Sequence, residues 1–131
     1  MREGDLRTLE AVLERARKFG HREHLELAWT YLERYPPAGA KQAMAAAIRY
    51  LAHEHGAAAK YHHTMTLAWV HLVAVHRQRS PAKGFDEFIA RNPQLLSNQL
   101  LDEHYSPRLL WSESARGGWT EPDLRGLPAL A

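Results

Sequence analysis

The stretch from Met65 to Val75 constrains the fold more than any other part of this 131-residue chain. Apart from Thr66 and His71, it is apolar on almost every side of a helix. A helix of this kind is stable in water only when other helices surround it. We therefore expect an all-α fold, a compact single-domain helical bundle over residues 1–131, with a central hydrophobic helix at about 60–79.

Helical periodicity continues through most of the remaining sequence, and no segment shows the alternation of a β-strand. Asp5 is expected to cap a first helix that ends at Gly20. Pro36 ends a second helix that begins near His21, and Gly56 ends an alanine-rich third helix. Shorter elements follow the central helix: helices at about 85–91, 93–101 (capped by Asn92) and 107–116 (capped by Ser106), and an irregular surface tail over 117–131.

The composition argues against several classes of protein. Without cysteine, the chain has no disulfide, thiolate metal site, thiol nucleophile or iron–sulfur cluster. The formal charge is only +2 and the basic residues are scattered singly, so we expect no nucleic acid partner. No apolar run approaches the roughly 20 residues of a membrane span, and the first twenty residues lack the apolar segment of a signal peptide. We therefore expect a cytoplasmic protein with no membrane partner.

Histidine is the unusual component, with nine residues in the chain. His21 and His24 are three residues apart and fall on the inward face of the second helix. Two imidazoles one turn apart can bind the same metal ion. The alternative is that both rings only border the helix N-terminus and are half-buried, since such a spacing arises often by chance in a histidine-rich chain.

A second polar group lies on the central helix, where His62 and Thr66 share a stripe with Trp69. Buried polar groups cost roughly 1–3 kcal/mol each when they lack a hydrogen bond. Thr66 can bond to the carbonyl one turn back, whereas His62 needs a partner from another element. If the second and central helices pack together, His21, His24 and His62 can converge on one divalent metal ion, with zinc, iron and copper as candidates.

Arg116 is a further candidate, because it lies one turn after Ser112 on the last predicted helix. A guanidinium there can pair with a carboxylate or phosphate of a substrate. The alternative is structural, since an arginine in the last turn interacts favourably with the helix dipole.

Three stretches carry a family resemblance. They are Phe19-x-His21-x-Glu23-His24 followed by Ala28-Trp29, Tyr61-His62-x-Thr64-x-Thr66, and Tyr105-x-Pro107-x-x-Leu110-x-Ser112-x-x-Ala115-Arg116. Over about residues 19–124, the chain resembles a family of short bacterial all-helical proteins of uncharacterised function. The resemblance implies that the polar members of these stretches surround one pocket: His21, His24, Tyr61, His62, Thr66, Tyr105, Ser112 and Arg116.

The leading functional hypothesis is a small metal- or acid–base-dependent enzyme that acts on a small polar molecule between the second and central helices. The expected roles are metal binding or proton transfer by His21, His24 and His62, substrate orientation by Tyr61 and Thr66, and anion binding by Arg116. The alternative is a non-catalytic module that binds a ligand or a protein, in which the histidines form a structural network. A homodimer also remains open, because the four tryptophans and the third helix fit an interface equally well.

Overall fold

A computed structural model describes all 131 residues and confirms the all-α class as a compact helical bundle. The seven α-helices are α1 Glu3–Ala16, α2 His21–Arg34, α3 Pro37–Glu54, α4 His63–Arg79, α5 Phe85–Arg91, α6 Pro107–Leu110 and α7 Glu113–Gly117. Short 3-10 turns cover Ala58–Lys60, Pro93–Leu96 and Leu100–Glu103. None of the helices combines the length and the hydrophobicity that crossing a membrane requires.

Helix α4 lies at the centre of the bundle, as its sequence predicts. It packs against α2, α3 and α7. Residues on several sides of α4 are buried, among them Ala68, Val70 and Leu72. The sequence analysis predicts that His21, His24 and His62 converge only if the second and central helices pack together. The packing of α2 on α4 fulfils this condition.

Asp5 does not cap α1, contrary to the prediction. The helix begins two residues earlier, at Glu3, and the Asp5 side chain is buried. Its Oδ1 atom accepts a 2.8 Å hydrogen bond from the Tyr35 hydroxyl and lies 3.3 Å from a guanidinium nitrogen of Arg34. The Tyr31 hydroxyl donates a 2.8 Å bond to the main-chain carbonyl of Asp5. Asp5 therefore joins α1 to the end of α2 instead of starting a helix.

Helix α1 also ends earlier than predicted. Its last residue is Ala16, and Arg17 follows in the left-handed conformation with φ 63°. Gly20 is the N-cap of α2 rather than the end of α1. Its amide donates a 2.8 Å bond to the Glu23 carboxylate, which satisfies a donor that the start of a helix leaves free.

The single helix predicted over 107–116 is divided into α6 and α7. Ser106 caps α6 as predicted, because its hydroxyl accepts a 3.2 Å bond from the Leu109 amide. Ser112, expected within the helix, caps α7 by accepting a 3.2 Å bond from the Ala115 amide. The chain therefore changes direction at Ser112, and Arg116 belongs to a separate short helix.

The helix predicted over 93–101 is replaced by two 3-10 turns. Asn92 is buried, and its amide donates a 2.9 Å bond to the carbonyl of Phe88 instead of capping the turn that follows. The Asn92 side chain thus satisfies a main-chain carbonyl in the last turn of α5.

The chain beyond α7 has no regular secondary structure, as expected for residues 117–131 apart from Gly117. Side chains of the bundle hold it in place. The Tyr105 hydroxyl donates a 2.7 Å bond to the carbonyl of Thr120, and the His71 Nε2 atom donates a 2.7 Å bond to that of Pro128. The tail consequently packs along α4.

Candidate functional site

Five of the predicted site residues line one cavity beside α4. The cavity has a volume of about 360 Å³. Helices α2, α3 and α4 all contribute to its wall, together with the chain that precedes α4. The predicted residues in the wall are His21, His24, Tyr61, His62 and Thr66.

His21 is the first residue of α2, and its ring is fixed on two sides. The Nε2 atom lies 2.8 Å from the carbonyl oxygen of Leu95, and the ring meets that of Trp69 edge-on at 4.5 Å. Because a carbonyl oxygen can only accept, Nε2 carries the proton of this bond. In the neutral ring, Nδ1 is therefore the nitrogen that can accept a hydrogen bond or bind a metal.

His24 lies one turn further along α2, and its hydrogen-bonding capacity is not used. The Nε2 atom is buried and has no partner. Burial, reinforced by the neighbouring His21, lowers the pKa of His24 to about 4, so the ring is neutral near pH 7. Among the residues of the cavity wall, this nitrogen is the only buried side-chain polar atom without a partner.

His62 differs from the other two histidines because both of its ring nitrogens are engaged. Nδ1 accepts a 3.1 Å bond from the Met65 amide and caps α4, while Nε2 donates to the carbonyl of Leu110 at 2.5 Å. Burial is the main reason why the pKa of His62 is lowered, and the nearby Arg116 acts in the same direction. The ring thus lacks the free nitrogen that its predicted role in metal binding or proton transfer requires.

The three-histidine metal site expected from the sequence is therefore not formed in this arrangement. No group of three or more histidine, aspartate or glutamate side chains is placed to hold a metal ion. A metal ion shared by His21 and His24 alone stays a prediction.

The hydroxyls of Thr66 and Tyr61 are also engaged within the protein. The Thr66 hydroxyl donates a 2.8 Å bond to the carbonyl of His62 one turn back, as the sequence predicts. The Tyr61 hydroxyl donates to the Nδ1 atom of His63 at 2.8 Å, and the Arg49 guanidinium lies 4.8 Å from the Tyr61 ring. Burial is the main cause of the raised pKa of Tyr61. Both side chains line the cavity, but their hydroxyl protons are already used in hydrogen bonds to atoms of the protein.

Arg116 does not line this cavity, which corrects the expectation that it holds a substrate there. Its guanidinium lies 5.5 Å from the ring of Trp111, and that ring meets the His62 ring edge-on at 5.7 Å. Tyr105 and Ser112 also lie outside the cavity wall. The Tyr105 hydroxyl binds the tail, and the Ser112 hydroxyl caps α7. The pocket implied by the family resemblance therefore contains five of the eight residues.

A second cavity, which the sequence analysis did not predict, adjoins the first at His24. It has a volume of about 590 Å³ and lies between the end of α1 and helix α3. Its apolar wall includes Leu13, Phe19 and Leu51, and Arg17 also lines it. No local pattern in the sequence marks this cavity, because its wall comes from two separate segments, residues 13–24 and 48–55.

Comparisons with known proteins add no relative: no family model, curated protein or solved structure matches this chain. The resemblance to short bacterial helical proteins stays a prediction. The functional argument therefore depends on the geometry of the cavities.

Proposed function

We propose that this protein binds a small molecule in the cavity between α2, α3 and α4. The observation that carries the proposal is the unpartnered Nε2 atom of His24 in the cavity wall. A buried nitrogen without a hydrogen bond costs roughly 1–3 kcal/mol, and a ligand that supplies a partner removes this cost. The volume of about 360 Å³ also supports a ligand, since small-molecule sites occupy roughly 300–1,000 Å³.

The wall has the composition of a binding site for a molecule that is mostly apolar. Ile48, Met65 and Trp69 offer apolar surface, while the polar atoms are few. His21, through Nδ1, and His24 are the groups that would orient the ligand. Such a mixture of apolar wall and a few fixed polar groups is typical of ligand pockets.

Binding is better supported than catalysis, because three of the residues expected to act in catalysis already use their polar groups within the protein. A general acid or base must exchange its proton with the substrate. His62 uses both ring nitrogens inside the protein, and the hydroxyls of Tyr61 and Thr66 donate to protein acceptors. Of the three histidines expected to bind a metal or transfer protons, only His21 and His24 keep a free ring nitrogen. We further propose a cytoplasmic location, in keeping with a chain that contains no cysteine.

A fragment screen by nuclear magnetic resonance tests this function. Small aromatic and aliphatic molecules with one polar group are added to the protein, and the ring resonances of its histidines are followed. We expect hits that shift the resonances of His24 and His21 but not those of the exposed His53. Hits that leave His24 and His21 unshifted, or a screen without hits, would overturn the proposal.

A variant that fills the cavity gives a second measurement. Ala52 lines both cavities, so A52F should abolish binding while circular dichroism shows an unchanged helix content. The exposed Ala90 lines neither cavity, and A90F is the matched control that should bind normally. Equal binding by both variants would place the ligand elsewhere.

A further inference from the structure

The two cavities share part of their wall. His24, Ile48 and Ala52 line both of them. From the shared residues, the first cavity reaches Trp69 on α4, and the second reaches Phe19 beyond the end of α1. Together they offer a ligand more length than either cavity does alone.

The charges around the two cavities have one sign. Among the residues that line them are three cations, Arg17, Lys18 and Lys60. None of the fifteen acidic residues of the chain lines either cavity. The chain as a whole is nearly balanced, with 17 basic residues, so its composition does not account for this distribution. A cleft lined by charges of one sign attracts ligands of the opposite sign.

All three cations are exposed and free of ion pairs, and two of them lie together in the second cavity. Arg17 and Lys18 are exposed, follow one another at the end of α1, and take part in none of the ion pairs of the fold. An arginine can hold a carboxylate or a phosphate through two parallel hydrogen bonds. The Nε2 atom of His24 has no partner within the protein. In the neutral tautomer that carries its proton on Nε2, this atom can donate a further hydrogen bond to the same group.

From these observations, we infer that the ligand is an anionic amphiphile, an apolar body that carries one carboxylate or phosphate group. The anionic group lies in the second cavity, within reach of Arg17, Lys18 and His24. The apolar body lies along Ile48 and extends into the first cavity towards Trp69. This inference rests on the proposed function and specifies the class of ligand.

Calorimetric titration with four compounds of the same chain length tests the class of ligand. Decanoate, decyl phosphate, decanol and decyltrimethylammonium each have an unbranched chain of ten carbons, which in decanoate includes the carboxyl carbon, and they differ in the head group. We expect decanoate or decyl phosphate to bind at least tenfold more tightly than decanol, and the preferred anion identifies the head group. Affinity for the anion should also fall as salt is added, because salt screens exposed charges.

The double variant R17Q/K18Q tests the assigned residues. It should lose the preference for the anion while its affinity for decanol stays the same. The control K83Q/R108Q removes the same charge from exposed sites that line neither cavity, and it should behave like the unchanged protein. If R17Q/K18Q does not fold, the salt dependence of the unchanged protein still decides whether exposed charges hold the anionic group.

The outcomes separate this inference from the proposed function. Equal affinity for decanol and decanoate, or a preference for the ammonium compound, would overturn the anionic ligand while the small-molecule site stands. Loss of the preference in both double variants would overturn the roles of Arg17 and Lys18. If none of the four compounds binds, the inference that the ligand is an amphiphile is overturned. The fragment screen then decides whether the small-molecule site exists.

Discussion

The Nε2 atom of His62 lies 2.5 Å from the carbonyl oxygen of Leu110 and joins the start of α4 to the end of α6. The same ring caps α4 through Nδ1, which accepts from the Met65 amide. One side chain thus completes the hydrogen bonds of two helix ends. This arrangement makes His62 a structural residue at the edge of the cavity.

H62A should lower the free energy of unfolding by about 2–4 kcal/mol, because it removes a helix cap and leaves a buried carbonyl without a partner. H62N should lose less, since asparagine is a good helix cap. Urea unfolding followed by circular dichroism measures both. The control H53A, at an exposed position of α3, should change stability by less than about 0.5 kcal/mol. A loss in H62A no larger than in H53A would contradict the role assigned to His62.

Stability should fall in mild acid because of His24. The pKa of this residue is about 4 in the fold, whereas an unperturbed histidine has a pKa near 6.5. Between these values the unfolded chain binds a proton that the folded protein does not, so the free energy of unfolding decreases as the pH falls through this window. The decrease from His24 amounts to up to about 3 kcal/mol.

Urea unfolding at pH 7 and pH 4.5 measures this effect. The pKa values of His62, His63 and His71 are also lowered, so they contribute in the same direction. A comparison with H24Q isolates the contribution of His24, which should appear as a smaller difference between the two pH values. The same pH dependence in both proteins would show that His24 titrates normally.

Y31F should destabilise the contact between α1 and α2. The Tyr31 side chain is fully buried, and its hydroxyl donates to the main-chain carbonyl of Asp5. Removal of the hydroxyl takes away a buried hydrogen bond that this carbonyl accepts in addition to its bond within α1, and should cost about 0.5–1.5 kcal/mol. Y50F is the matched control, because Tyr50 is exposed and should tolerate the change. Equal melting temperatures of the two variants would refute the prediction.

Two reciprocal substitutions test the left-handed positions. Arg17 has φ 63° and Gly56 has φ 65°. R17G relieves the steric cost of a side chain in this conformation and should stabilise the fold by ~0.5–1 kcal/mol. G56A should destabilise it by about 1 kcal/mol, although a Cβ atom at Gly56 would meet nothing within 4 Å. Melting temperatures check both signs, and a decrease in R17G would contradict the strain at this position.

The central position of α4 could be predicted because its cause is local. A segment that is apolar on most sides needs neighbours on all of them. The error at Asp5 has a long-range cause, since a capping aspartate and a buried aspartate look alike in sequence. The groups that bind its side chain, Arg34 and Tyr35, lie 29 and 30 residues further along the chain.

The candidate site could be predicted in part for the same reason. The spacing of His21 and His24 places them on one helix face, and the buried face of α2 points to α4. The partner of His62 could not be found, because Leu110 lies 48 residues away in a segment without strong periodicity. The misplacement of Arg116 follows from Ser112, whose capping role was hidden by the stronger helix-start signal at Ser106 and Pro107.

The contact between His21 and Trp69 gives this protein an optical signal of its own. Trp69 lines the first cavity, while Trp29 packs against the phenylalanines of α5, and Trp111 and Trp119 are exposed. A chain with W29F, W111F and W119F would emit light from Trp69 alone. The intensity of that emission would depend on what fills the cavity, so occupancy could be followed in solution without a dye or a label.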